Sequence, residues 1–147
     1  MIILAPSQKD FELAKKTFCG TEEADIYLTG VGPKHILNFL SQMNLPLKQE
    51  VLLFGYARAR NIKPGLHVWV DQSYWFNPFM DYDKEGIKVK RPGMAETPLL
   101  PVACYTSTDS EDAFLTSKSK AGPALYDSEL SFLLSVHPNS SAWRVSI

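Results

Sequence analysis

Val51-Leu52-Leu53-Phe54-Gly55 is apolar without alternation, and no other stretch constrains this chain as strongly. A strand with one face in water would alternate apolar and polar residues, whereas a continuous run must be covered on both faces, as in the inner strands of an α/β sheet. Met1-Ile2-Ile3-Leu4-Ala5, closed by Pro6, and Asp25-Ile26-Tyr27-Leu28-Thr29 have the same short, strand-like character. Helical patterns separate the three. Ser7 with Asp10 three residues on predicts a capped helix from about 8 to 18, with Phe11, Leu13, Ala14 and Phe18 as apolar faces and Gly20 as the stop. Pro33, suited to a first helical position, opens a second helix to about Met43, with Ile36, Leu37, Phe39, Leu40 and Met43 on a broad apolar side. Strand, helix, strand implies right-handed crossovers. The expected fold is one α/β domain over residues 1–147, a three-layer α/β/α arrangement with a mostly parallel central sheet.

Beyond residue 55 the pattern changes. Asn61-Ile62-Lys63-Pro64-Gly65 reads as a turn and Leu66 to Asp71 as a strand. Tyr74 to Tyr82 is crowded with aromatics, and 84–98 is polar and breaker-rich, a surface hairpin or loop. Leu99 to Tyr105 returns to the sheet. Asp109-Ser110-Glu111-Asp112 opens a short helix, Ala124-Leu125-Tyr126 is a brief strand, Asp127 caps a helix through Val136, and Ala142 to Ile147 is a terminal strand.

Composition narrows the function classes. With 15 Lys and Arg against 16 Asp and Glu, the net charge of −1 removes the electrostatic case for binding nucleic acid or an anionic membrane. No apolar run approaches the ~20 residues of a membrane helix, and Met1 to Ala5 lacks the basic flank and length of a signal peptide. Cys19 and Cys104 stand far apart without a Cys-x-x-Cys pattern, so they read as reduced thiols of a cytoplasmic protein. His35, His67 and His137 are isolated, and Asp71, Asp81 and Asp83 do not match a calcium loop, so no metal and no cofactor is expected.

Gly30-Val31-Gly32 lies between a strand and a helix, where backbone amides can meet an anion. His35 stands where a dinucleotide fold would want a third glycine, and a tight turn explains Gly30 and Gly32 as well. Their order with later pieces says more. Leu28-Thr29-Gly30-Val31-Gly32, then Leu53-Phe54-Gly55-Tyr56-Ala57, then Ile62 through Val70 with Pro64-Gly65-Leu66 together resemble the nucleoside phosphorylase and nucleosidase superfamily. That family has a Thr/Ser-Gly-Ile/Val-Gly turn, a Gly-x-Ala-Gly-Gly strand end and a Pro-Gly-Leu turn in this sequence. Glu111-Asp112-Ala113-Phe114-Leu115 is similar to its Gly-Asp-x-Phe-Ile segment, Tyr126-Asp127-Ser128-Glu129 to its Val-Asp-Met-Glu segment, and Trp143 to Ile147 to the start of its Val-Arg-x-Ile-Ser-Asp strand.

The resemblance implies a shortened nucleoside phosphorylase-like fold that binds a purine nucleoside or nucleobase. It would place Phe114 and Leu115 against the base, Gly55 and Ala57 beside the sugar, Ser128 and Glu129 at the ribose, and Asp10, rather than Glu12, as the carboxylate activating water. The residues alone also allow Phe114 as core, Asp10 as a capping acid and Glu129 as a first-turn acid. Ala5-Pro6-Ser7-Gln8 offers phosphate no glycine, so hydrolysis of the N-glycosidic bond is favoured over phosphorolysis. The aromatic stretch from Tyr74 corresponds to a segment that packs across a subunit boundary, which implies a homodimer; a lid on its own subunit is the alternative.

Departures from the family pattern keep two other readings open. Arg58 and Ala59 stand where relatives carry glycines, and Arg58 could bind an anion instead. Ser128 replaces the methionine that contacts the sugar. The family's general-acid aspartate follows Ile-Ser, and this sequence stops at Ile147, so the expectation is a site without that acid and without a final helix. Such an acid contributes about 10²–10⁴ in rate, or roughly 3–5 kcal/mol. The alternatives to an enzyme are therefore a catalytically silent nucleoside-binding subunit and a partner-binding module on the same scaffold.

Overall fold

The computed structural model describes residues 1–21, 23–77, 81–82, 86–93, 99–107 and 122–147. The expected helix at Asp109 to Asp112 lies outside them, as does much of the 84–98 stretch. Strand β1 (Ile2–Ala5), helix α1 (Gln8–Thr17), strand β2 (Asp25–Leu28) and helix α2 (Pro33–Met43) follow the sequence pattern closely, and strand β3 (Val51–Arg60) begins where expected but continues past Gly55 to Arg60. Ser7 caps α1 in a full capping box: its hydroxyl accepts from the Asp10 amide and the Asp10 carboxylate accepts from the Ser7 amide. Pro33 opens α2, and Asn44 closes it in the left-handed conformation. Then come β4 (His67–Asn77), β5 (Asp81–Tyr82), β6 (Ile87–Lys88), β7 (Leu100–Thr106), β8 (Ala124–Asp127), helix α3 (Leu130–Val136) and β9 (Ser141–Ser146).

Around β1 the layered arrangement holds. β1 pairs in parallel with β2 on one edge and β3 on the other. Because both faces of β1 and β3 are buried, successive residues feed different cores. Ile2, Leu4, Val51 and Leu53 pack with Ile36 and Leu40 of α2 and Leu130 and Leu133 of α3. Ile3, Leu52 and Phe54 pack with Ala14 of α1, Phe18 and Trp143. This is why those runs show no alternation.

The sheet as a whole is mixed, not mostly parallel, and it closes on itself. β9 runs parallel to β3 and antiparallel to β4; β4 is parallel to β7, β7 to β8, and β8 returns antiparallel to β3. The expectation of an open, mostly parallel sheet is corrected by this circuit. A continuous apolar run demands cover on both faces, which a closed sheet supplies as well as an open one, and nothing in the run encodes its neighbours' direction. Among the described residues, no helix is long and apolar enough to cross a membrane.

Candidate active site

One edge of β3 changes partner part-way. β1 pairs as far as Leu53, and β8 takes over at Arg58. In the interval Asp10 reaches in from α1, and its Oδ1 accepts the Tyr56 amide at 2.7 Å while Oδ2 accepts the Ser7 amide at 3.0 Å. Gly55 makes this approach feasible: its φ is +144°, and a Cβ there would lie 2.5 Å from Asp10 Oδ1. A side chain at position 55 is therefore excluded by space and by backbone conformation.

Beside this junction lies a cavity of about 320 Å³, beyond the carboxyl ends of β1, β3 and β9, the usual position of ligands on such sheets. Pro6, Ser7, Lys9 and Asp10 line it from the α1 side, and Tyr56, Ala57 and Arg58 from β3. Tyr126 to Glu129 and Arg144 complete the floor, with Val31 and Ile147 at the edges.

The floor is charged and dry. Asp10 and Asp127 are each 6% exposed, Glu129 4% and Arg144 2%. Asp127 is fully engaged: Oδ1 accepts the Thr106 hydroxyl at 2.6 Å, Oδ2 accepts the Leu130 amide at 3.1 Å and lies 3.8 Å from Arg144 Nη2. It thus keeps the expected capping role, although Glu129 occupies the residue before α3. Arg144 Nη2 also donates to the Tyr56 carbonyl at 3.4 Å. Among the described residues, Glu129 Oε2 and Arg144 Nε and Nη1 are buried without a hydrogen-bond partner. The Glu129 carboxyl is pushed up to about 7, first by burial and then by the Asp127 and Asp10 charges, against the lowering effect of Arg144. Buried polar groups are nearly always paired, so an orphaned acceptor and orphaned donors on one cavity mark a place built for something else.

No protein-family profile and no curated protein matches this sequence. Solved structures do match. The 5'-methylthioadenosine/S-adenosylhomocysteine nucleosidase (MTAN) of Helicobacter pylori superposes with a TM-score of 0.71 at 14% identity, covering 99% of this chain and 83% of its own. The MTAN of Chlamydia trachomatis, bound to MTA, gives 0.72 at 14% identity, with 99% and 79% covered. AMP nucleosidase of Bacteroides thetaiotaomicron gives 0.67 at 11%, with 99% and 79% covered. The chain shares its fold with these nucleosidases.

On this nucleosidase fold the expected site residues divide clearly. Asp10, Ala57, Arg58, Ser128 and Glu129 line this same cavity, and Gly55 lies against Asp10. Glu12 points away: it is exposed and paired with Lys15 at 3.1 Å. Gly30 and Gly32 serve the turn into α2, each at φ +98°, and only Val31 between them reaches the cavity; a Cβ on Gly30 would strike the His35 ring. Phe114 and Leu115 lie outside the described residues. Arg144, Asp127 and Tyr56 were not singled out as site residues from the sequence. For Arg144 a signal existed, since one arginine inside an otherwise uncharged terminal strand is a residue type seldom buried without a purpose.

Proposed function

We propose that the cavity binds a purine nucleoside by its sugar hydroxyls and that the protein hydrolyses the N-glycosidic bond. The orphaned Glu129 Oε2 and Arg144 nitrogens carry this reading. A sugar hydroxyl both donates and accepts, so one hydroxyl donating to Glu129 and accepting from Arg144 satisfies what the protein leaves unpaired. The preference for a purine rests on the sequence resemblance at Phe114 and Leu115, and on the fold shared with proteins described as complexed with nucleosides or their analogues. Asp10 has its oxygens anchored by two amides, and each oxygen keeps a second lone pair for a water beside the sugar.

The test is release of free base from a panel of purine nucleosides, followed by chromatography, with calorimetric titration of the same panel. Base release that Asp10→Asn and Glu129→Gln each abolish is the expected result. Heat of binding with intact nucleoside recovered would select the catalytically silent binding protein. That second reading is favoured by one observation, that the Asp10 carboxylate already has a structural role as the joint between α1 and β3. A folded protein that binds no member of the panel would reject both.

A further inference from the structure

β2 is the end strand of the sheet: it pairs with β1 and, among the described residues, with nothing else. Both of its faces are covered, Ile26 by the core around Phe18 and Phe54, and Tyr27 by Phe39 of α2 at a ring-centre distance of 5.2 Å. Its edge stays open. The Asp25 and Thr29 amides donate to the Met1 and Ala5 carbonyls, so the alternate residues, Ile26 and Leu28, turn their N–H and C=O groups away from β1. Proteins commonly blunt such an edge with a lysine, a proline or a bulge. β2 is short, at four residues, but carries none of these: its register with β1 is unbroken and Leu28 is 48% exposed. The charges beside the edge differ between its ends. At the amino end stand Glu23 and Asp25, both exposed, which outnumber the Met1 ammonium held on the Glu23 carbonyl. At the carboxyl end α2 opens with exposed Lys34, no acid in its first turn, and Gly32 as an N-cap that offers no side chain to the helix amides.

We propose that β2 pairs antiparallel with β2 of a second copy of this chain, about a two-fold axis at Tyr27, so that one sheet runs through the dimer. In this register Ile26 of each copy faces Leu28 of the other, and the two exchange the N–H···O=C bonds that β1 leaves unmade. Both cross-strand pairs are apolar, and Asp25 stands opposite Thr29 instead of another carboxylate. The acidic end of each strand meets the Lys34 and α2 N-terminal end of the other, where the helix dipole favours negative charge. An axis at Ile26 would set Leu28 against Ala24 and lose that apolar match, so side-chain chemistry selects the register. The contact needs no ligand in the cavity.

Sedimentation equilibrium of the full chain over a concentration series, with amide exchange followed by NMR, decides it. The mass should climb from 16.5 kDa toward twice that value. The Ile26 and Leu28 amides should exchange about tenfold more slowly at the concentrated end. Leu28→Pro removes an outward donor without touching the bonds to β1, and Leu28→Lys keeps the backbone and sets a charge on the edge; each should hold the chain monomeric. A chain that stays monomeric up to about 1 mM would overturn the proposal. So would a dimer that both variants leave intact; if Trp75→Glu dissolves that dimer, the interface is the exposed aromatic stretch of β4 instead. Dimerisation that leaves exchange at Ile26 and Leu28 unchanged would overturn it without recourse to any variant.

Discussion

The two halves of β3 belong to one strand but do different work. Val51 to Phe54 is packing alone: all four are buried between β1 and β9, and Phe54 meets Phe18 and Trp143 edge-on at centroid distances of 5.0 and 5.6 Å. From Tyr56 onward the strand loses β1, is held by the Asp10 carboxylate, gains β8, and lines a cavity whose floor keeps unpaired polar atoms. Gly55 is the boundary. The first half shows how a continuous apolar run is satisfied. The second shows where a sheet that changes partners can leave room for a ligand.

The largest effect should come from the packing half. Phe54→Ala should lower unfolding free energy by about 4 kcal/mol, read by denaturant titration, while nucleoside affinity of the folded fraction stays unchanged. Loss of affinity in that fraction would break the division of labour. At the boundary, Gly55→Ala should cost about 3 kcal/mol, because the new Cβ meets the Asp10 carboxyl and the backbone is strained, and it should weaken ligand binding as well.

The cavity half should behave in the opposite sense. Glu129 has its carboxyl raised from 4.5 to about 7, so the folded protein retains a proton that the unfolded chain releases first. The stability due to this protonated carboxyl is fully present below about 4.5, falls as pH rises, and is lost above about 7. Glu129→Gln should therefore flatten stability between those pH values and stabilise the protein above pH 7 by roughly 3 kcal/mol, while weakening nucleoside binding. Thermal melts across the pH range check it; a variant less stable at pH 8 would refute the assignment. Ser7→Ala, which removes the α1 cap and loosens Asp10, should cost about 1 kcal/mol by denaturant titration.

Much of the first half of the molecule is legible in the sequence. The Ser7 and Asp10 capping box and Pro33 at the start of α2 work over three or four residues, and a local signal survives whatever the chain later packs against. The candidate site was legible only in pieces. Asp10 and Glu129 stood out by order and residue type, yet Asp10 meets Tyr56 across 46 positions, and no local pattern contains that distance. Arg144 showed itself as an isolated charge in a buried strand, but its approach to Asp127 and the Tyr56 carbonyl depends on how β9 docks.

The sequence by itself determined the alternation of strand and helix as far as the start of β3 and which apolar residues there must leave water, because capping, periodicity and apolar runs act between near neighbours. Only the tertiary structure decided that β9 joins β3 to β4 and closes the sheet, and that three carboxylates and an arginine share one dry floor. Strand direction and the burial of a charge are properties of partners distant in sequence. Hydrophobicity drives residues inward without specifying whom they meet, and backbone pairing and the field of neighbouring charges settle that afterwards.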